Sequence, residues 1–203
     1  MAPGFTGAVL TGGSSRRMGR DKALLPVGGV MLTEIVAEAL RKAGATDVLA
    51  IGGDQKRLRS LGVLDEVVAD EFPGQGPLGG IISALKASSN DLVVVLACDT
   101  PAIDADTPSR LLTALHDDER AAVAVAVVDE RVQPLTAAWR RSLSLDHLRR
   151  SFESGERAPR KVLDGLRVRT IEDISPDAVL DLDSPEDLDR YAQWSSSESK
   201  EEP

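Results

Sequence analysis

A single cysteine, Cys98, among 203 residues excludes an internal disulfide and suits a reducing cytoplasm. Histidine is nearly as scarce: His116 and His147 both stand in charged helical contexts that read as solvated, and neither lies near Cys98 in sequence. The chain has no HExxH, no paired CxxC and no Gly-x-Ser-x-Gly, so zinc and acyl-transfer chemistry lack support. Cys98 adjoins Asp99, whose charge disfavours a thiolate, so it reads as a packed strand-end thiol. Aromatic residues make up only 3% of the chain, which leaves the core to Ala, Val, Leu and Ile. Basic charge is also short. With 24 Lys and Arg against 33 Asp and Glu, a net charge of −9 predicts no nucleic-acid and no membrane-surface partner. No apolar run reaches membrane-spanning length, and the first residues lack a basic stretch followed by an apolar one, so a cytoplasmic location is expected.

What is present is a rhythm of short, continuous apolar runs: Ala8–Leu10, Val48–Ile51, Val67–Ala69, Leu92–Ala97 and Ala121–Val128. Runs of this kind are strands buried on both faces. Between the first two, Leu32, Ile35, Val36, Ala39 and Leu40 are spaced for one helix face, and Gly44 follows as a stop. Pro77 suits the first turn of a helix carrying Ile81, Ile82 and Leu85, and Asp106 reads as the cap of one carrying Leu111, Leu112 and Leu115. This alternation predicts an α/β fold: one domain, a mainly parallel central sheet, and helices on both faces. Residues 1–194 form that domain, with 129–165 read as an insertion or lid because Arg, Glu, Pro134 and Pro159 break the rhythm. Ala178–Leu182 reads as a last short strand, Pro185 as the start of a final helix, and residues 195–203, rich in Ser and Glu, as a disordered tail.

Ligands of such sheets bind at the carboxyl ends of the strands. There the first strand runs into Leu10-Thr11-Gly12-Gly13, and Arg16, Arg17, Arg20 and Lys22 follow at once. Small residues that let the backbone approach a ligand, followed by fixed positive charge, form a device for holding phosphate. Neither of two familiar phosphate motifs fits. A P-loop lysine directly follows its glycine and precedes Ser or Thr, whereas Lys22 comes three residues after Gly19 and precedes Ala23. The spacing of the dinucleotide fingerprint fails from both Gly12 and Gly13.

Carboxylates end other strands. Asp99 follows Leu92–Ala97 in Ala-Cys-Asp-Thr-Pro, where it is either a Mg²⁺ ligand facing the crevice or a turn residue before Pro101. Asp70 follows Val67-Val68-Ala69 and is either a second ligand or nucleotide contact, or the first residue of an Asp-Glu-Phe-Pro-Gly turn. Asp181 and Asp183 flank Leu182, and alternation puts them on one side of an extended segment. Gly74 to Gly80 form a glycine-dense loop that permits close packing against a flat ring.

Taken together, Leu10-Thr11-Gly12-Gly13 through Arg17-Met18-Gly19 and Asp21-Lys22-Ala23-Leu24-Leu25 resemble the signature loop of the molybdenum cofactor guanylyltransferases. Gly76-Pro77-Leu78-Gly79-Gly80, Cys98-Asp99-Thr100-Pro101, Gln133-Pro134-Leu135 and Asp183-Ser184-Pro185-Glu186-Asp187-Leu188 are similar to that family's later motifs, in family order. The resemblance covers residues 7–190 and implies a Rossmann-like nucleotidyltransferase fold. It also implies transfer of GMP from GTP to the phosphate of molybdopterin or Mo-molybdopterin, with Mg²⁺ or Mn²⁺ as cofactor. Arg17, Lys22 and Asp99 become the catalytic residues. Leu10, Thr11, Gly12, Gly13, Lys22, Asp70, Gly76, Gly79 and Asp99 become nucleotide contacts, and Asp99 and Asp183 metal ligands. Gln133, Arg157 and Arg160 fall on the acceptor side, within the lid segment. Protein partners of transient kind, a molybdenum-insertion protein or a molybdoenzyme chaperone, also follow from the resemblance.

Three positions depart from the family pattern: Thr11 stands for the usual Ala, Ile51-Gly52-Gly53 for a run containing Asn, and Asp183 for Asn. Transfer of CMP to the same cofactor, guanylyl transfer to another phosphorylated metabolite, and a non-catalytic nucleotide-binding role stay open at this level. Gly12-Gly13 and Cys98-Asp99-Thr100-Pro101 favour guanine over cytosine by resemblance.

Overall fold

The computed structural model describes residues 4–12 and 21–182, together with Asp187 and Tyr191. Its elements in chain order are β1 (Phe5–Leu10), β2 (Pro26–Val27), β3 (Val30–Met31), α1 (Leu32–Lys42), β4 (Asp47–Ile51), α2 (Gln55–Arg59), β5 (Glu66–Val68), α3 (Pro77–Ala87), β6 (Leu92–Ala97), α4 (Asp106–Asp117), β7 (Val123–Val128), β8 (Arg131–Arg140), α5 (Arg141–Glu153), α6 (Pro159–Val162) and β9 (Val168–Ile171). Seven of these strands make one sheet in the order β5-β4-β1-β6-β8-β7-β9. The first four are mutually parallel; β8 is antiparallel to both β6 and β7, and β9 runs parallel to β7.

Period-two alternation along each strand explains why apolar runs are continuous. Val9, Val94, Leu96 and Ala124 face one layer, where they meet Val36 and Leu40 of α1 and Leu111 and Leu115 of α4. Ala8, Leu10, Val93, Val95 and Trp139 face the other, where they meet Leu78, Ile81, Ile82 and Leu85 of α3 and Leu148 and Phe152 of α5. A strand sandwiched between helices has no polar face to show. Among the described residues no helix is long and apolar enough to cross a membrane.

Three expectations are corrected. Ala178–Leu182 is not a strand: Pro176–Val179 form a 3-10 turn, in keeping with the proline that opens it, and an extended segment follows. The cap expected of Asp106 is supplied by Asp104, whose Oδ1 accepts the N–H of Thr107 at 2.8 Å, while Asp106 is already helical. His147 is half-buried rather than solvated, with Nε2 3.0 Å from the carbonyl oxygen of Val162 and its ring against Gly165. The final helix expected from Pro185 includes the described helical residues Asp187 and Tyr191, and its other positions and the tail 195–203 lie outside the described residues.

Of the segment 129–165 read as an insertion or lid, Arg131–Arg140 supply β8 to the middle of the sheet. Between Val125 and Ala126 of β7 the partner in β8 jumps from Ala137 to Gln133. Pro134, Leu135 and Thr136 therefore make a bulge, the one kind of interior strand position that accepts a proline. Thr136 still pairs with Leu96 of β6.

Candidate active site

The carboxyl ends of β1 and β6 open into a crevice lined by Leu10, Thr11, Gly12, Asp21, Lys22, Asp70, Gly76, Gly80 and Asp99, with Leu135 of the β8 bulge on its far side. The separate motifs thus converge on one place.

The first wall is the turn after β1. The N–H groups of Thr11 and Gly12 both donate to the carbonyl of Ile51 at 3.0 Å, and the Thr11 hydroxyl reaches the carbonyls of Ile51 (3.0 Å) and Gly52 (3.2 Å). The turn after β4 must come equally close. Gly52 sits at φ +81°, and a Cβ there would lie 3.0 Å from Cα of Gly12. Gly53, at φ +68°, would place one 3.1 Å from the Thr11 hydroxyl. Left-handed backbone and this proximity both call for glycine. The hydroxyl of Thr11 and the Gly52-Gly53 pair therefore fit one another, two departures with one steric explanation.

Lys22 is aimed by a short 3-10 turn, Lys22–Leu24. Asp21 Oδ1 accepts the N–H of Ala23 at 3.1 Å, and the buried Thr33 hydroxyl donates to the Ala23 carbonyl at 2.7 Å. So held, Lys22 Nζ lies 3.0 Å from Asp99 Oδ2, the two side chains being 18% and 20% exposed. Asp99 itself is fixed through its neighbours. The Cys98 N–H donates to the Leu10 carbonyl at 3.2 Å, the buried Thr100 hydroxyl donates to the Ala97 carbonyl, and the Leu182 N–H donates to the Asp99 carbonyl at 2.9 Å. Tyr191 donates its hydroxyl to the Pro101 carbonyl, tying the C-terminal segment to the same loop. The Cys98 thiol is buried, and burial first, then the charge of Asp99, push it far above the ordinary thiol range. It cannot serve as a nucleophile.

Asp70 lies beyond the end of β5. Its Oδ1 accepts from the Phe72 N–H and from the hydroxyl of Ser83, each at 3.0 Å. Ser83 is buried on α3, accepts the Glu71 N–H, and has the Gly79 carbonyl as a second possible acceptor at 2.9 Å. Its single proton serves one of these acceptors at a time.

Among the expected site residues, Leu10, Thr11, Gly12, Lys22, Asp70, Gly76 and Asp99 meet at the crevice. Gly79 does not line it: a Cβ there would fall 2.8 Å from Cβ of Phe72, so its smallness serves loop packing, and Gly80 faces the crevice instead. Gln133, Arg157 and Arg160 are also outside the crevice lining. Gly13, Arg17 and Asp183 lie outside the described residues. Asp21 and Leu135, part of the family motifs but given no role there, line the crevice, and Ser83, outside every motif, holds Asp70 from behind; a serine within the apolar run Ile81-Ile82-Ser83-Ala84-Leu85 is the one sequence signal that could have found it.

The described residues contain no cluster of three metal-ligating side chains. The carboxylates of Asp99 and Asp21, hard oxygen donors on one crevice, nevertheless suit Mg²⁺, which uses one or two protein carboxylates and completes its shell with water and substrate phosphate.

Residues 7–173 match the MobA-like NTP transferase domain family. A protein of Opitutus terrae named a probable molybdenum cofactor guanylyltransferase is 36% identical over 198 residues, 93% of this chain and 95% of its own length. A molybdenum cofactor guanylyltransferase of Cereibacter sphaeroides is 38% identical over 137 residues, 66% of this chain and 67% of its own. Among solved structures, a molybdopterin-guanine dinucleotide biosynthesis protein A from Archaeoglobus fulgidus superposes with a TM-score of 0.77 at 25% identity, covering 95% of this chain and 99% of that one. A Thermus thermophilus 2-C-methyl-D-erythritol 4-phosphate cytidylyltransferase superposes with a TM-score of 0.71 at 19% identity, covering 93% and 98%, and shares the fold alone.

Proposed function

This chain belongs to the MobA-like NTP transferase family, and from that premise we propose that it transfers GMP from GTP to the terminal phosphate of molybdopterin, releasing pyrophosphate. The observation that carries the proposal is the convergence, at the ends of β1 and β6, of the Thr11-Gly12 turn, the Asp70 and Gly76 loop, and the Lys22–Asp99 pair.

An oxygen of the acceptor phosphate bonds to the α-phosphorus, the bond from that phosphorus to the bridging β-oxygen breaks, and pyrophosphate leaves with the electron pair. The acceptor is already an anion, so no general base is needed. The protein's task is in-line positioning and neutralisation of charge. Lys22 Nζ and Asp99 Oδ2 stand 3.0 Å apart, so the ammonium and the carboxylate both face the place of the phosphates. When nucleotide enters, the ammonium of Lys22 turns to the phosphates and stabilises the departing pyrophosphate. Asp99, together with Asp183 as the resemblance implies, would hold the divalent metal, Mg²⁺ or Mn²⁺, which would supply Lewis-acid polarisation of the phosphate oxygens. Arg17 adds positive charge on the signature loop. Leu10 to Gly13, Asp70 and the Gly76–Gly80 loop receive the nucleoside. Gln133 and Arg160 belong to the acceptor side. A molybdenum-insertion protein or molybdoenzyme chaperone would collect the product, in the cytoplasm.

The test is a transfer assay with GTP, CTP and ATP, with and without molybdopterin and with and without divalent metal, read as pyrophosphate release and product mass. GTP turnover dependent on both molybdopterin and metal is expected. Equal turnover with CTP would move the protein to the cytidylyl branch. GTP binding without turnover would leave a nucleotide-binding accessory protein.

A further inference from the structure

Arg157 lies on the connection between α5 and α6, and one arm of its side chain reaches the nucleotide loop. Its guanidinium carbon sits 3.7 Å from the centre of the Phe152 ring. Its Nη1 donates to the carbonyls of Phe152 and Glu156, both at 2.7 Å, and its Nη2 donates to Oε1 of Gln75 at 3.1 Å. The Arg157 carbonyl lies 3.4 Å from where a Cβ of Gly76 would stand, so backbone backs onto backbone as well. Behind the arginine, Phe152 packs on Phe72 with ring centroids 4.3 Å apart, and Phe72 fills the place a side chain at Gly79 would take.

The loop needs such support. Gly74 and Gly76 sit at φ +75° and +92°, and each glycine widens the range of conformations the loop can adopt. The base of the loop is held from within by Ser83, through Asp70 and Gly79. Its tip is held from the α5–α6 connection by Arg157. A planar fork stacked on an aromatic ring presents its donors in a fixed geometry that a lysine cannot copy.

We propose that Arg157 is a positioning residue for the nucleotide loop: it clamps Gln75 and Gly76 from the acceptor side and thereby sets affinity for the base, instead of binding the acceptor. The proposal rests on the nucleotide reading of that loop given above.

The experiment compares Arg157→Ala, Arg157→Lys, Gln75→Leu and the Arg157→Ala/Gln75→Leu pair. Three quantities are read: amide hydrogen exchange of residues 72–80 in the ligand-free protein, GTP affinity by calorimetry, and KM for molybdopterin. Arg157→Ala and Gln75→Leu each speed exchange in the loop and weaken GTP by about tenfold, the scale of one hydrogen bond to a charged group. The pair loses no more than Arg157→Ala alone, since the contact to Gln75 is already gone in that variant. KM for molybdopterin stays within twofold, and Arg157→Lys behaves as Arg157→Ala because charge without the fork does not suffice. Gln75→Leu leaves the packing of Arg157 on Phe152 intact, so the clamp is tested even if Arg157→Ala loosens α5. A raised KM for molybdopterin in Arg157→Ala, restored by lysine, with exchange and GTP affinity unchanged, overturns the proposal in favour of an acceptor contact. Faster exchange with unchanged GTP affinity leaves the clamp standing mechanically but removes the loop from nucleotide binding, and overturns the proposal through that reading.

Discussion

At the amino ends of β1, β4 and β6, polar side chains close on one another. The buried Thr6 hydroxyl donates to the Asp47 carboxylate at 3.1 Å and accepts from Ser88 (2.7 Å) and from Asn90 Nδ2 (3.0 Å), while Thr46 also donates to Asp47 at 2.8 Å. At the carboxyl end of the sheet, Thr11 after β1, Asp99 after β6, Asp70 after β5 and Lys22 of the 3-10 turn line an open crevice. The residue types are alike. One end spends its polar groups on each other and clips three strands together; the other sets an ammonium and a carboxylate, paired at 3.0 Å, on the wall of a crevice that a ligand can enter. Stability and activity should therefore separate by strand end.

The sharpest attempt to break that separation is Asp99→Asn, which keeps shape and removes charge. Turnover should fall by on the order of a thousandfold or more, with the thermal midpoint little changed. Near-normal turnover at ordinary Mg²⁺ would remove Asp99 from the metal site. Next comes Lys22→Ala, expected to cost about 3 kcal/mol of transition-state stabilisation and to show mainly in kcat. If folding suffers more than turnover, the Lys22–Asp99 pair is a structural bridge. At the other end, Asp47→Ala leaves the buried Thr6 hydroxyl without its acceptor and takes one acceptor each from Thr46 and Asn90. A loss of about 2 kcal/mol in denaturant unfolding is expected, with kcat unchanged. The smallest effect concerns Asp65, near the amino ends, whose Oδ2 accepts the Val48 N–H at 2.7 Å and the Arg41 guanidinium at 2.9 Å. The Val48 N–H first, opposed by partial burial, and then Arg41 hold its carboxyl below the ordinary range. A depressed carboxyl contributes stability above its unfolded pKa and loses it as pH falls through the folded one. Asp65→Asn should thus lower neutral stability slightly, since the pair is well exposed, flatten the acid limb below about pH 4 and leave activity nearly alone. Equal acid sensitivity in both proteins would show that the loss lies elsewhere.

Burial governs how far the sequence could be read. β6 is legible because both its faces are covered and Leu92–Ala97 offers no polar residue to break the run. β8 is not, because its first half is half-exposed and carries Pro134, tolerated only at the bulge that no periodicity announces. Asp99 and Asp70 are legible as carboxylates after apolar runs. The choice between Gly79 and Gly80 is not, because the rotational phase of α3 decides which glycine meets Phe72 and which meets the crevice. Arg157 shows the same limit in space: its partner Gln75 is 82 residues away, a pairing that no local pattern contains.

The placement of β8 also bears on how the chain comes together. β6 and β7 are consecutive strands of the main sheet, but the strand that joins them is made after both. Until β8 arrives, the Val93-Val94-Val95-Leu96 edge of β6 is an unpaired apolar ladder, the kind of edge that recruits foreign strands. β7 and β8 are linked by a tight turn at Asp129 and Glu130, both with positive φ, so the hairpin can form locally and dock as a unit. During synthesis the parallel half of the sheet must wait, exposed along one side, until about residue 140 has been made, and that interval is when the growing chain most needs protection from aggregation.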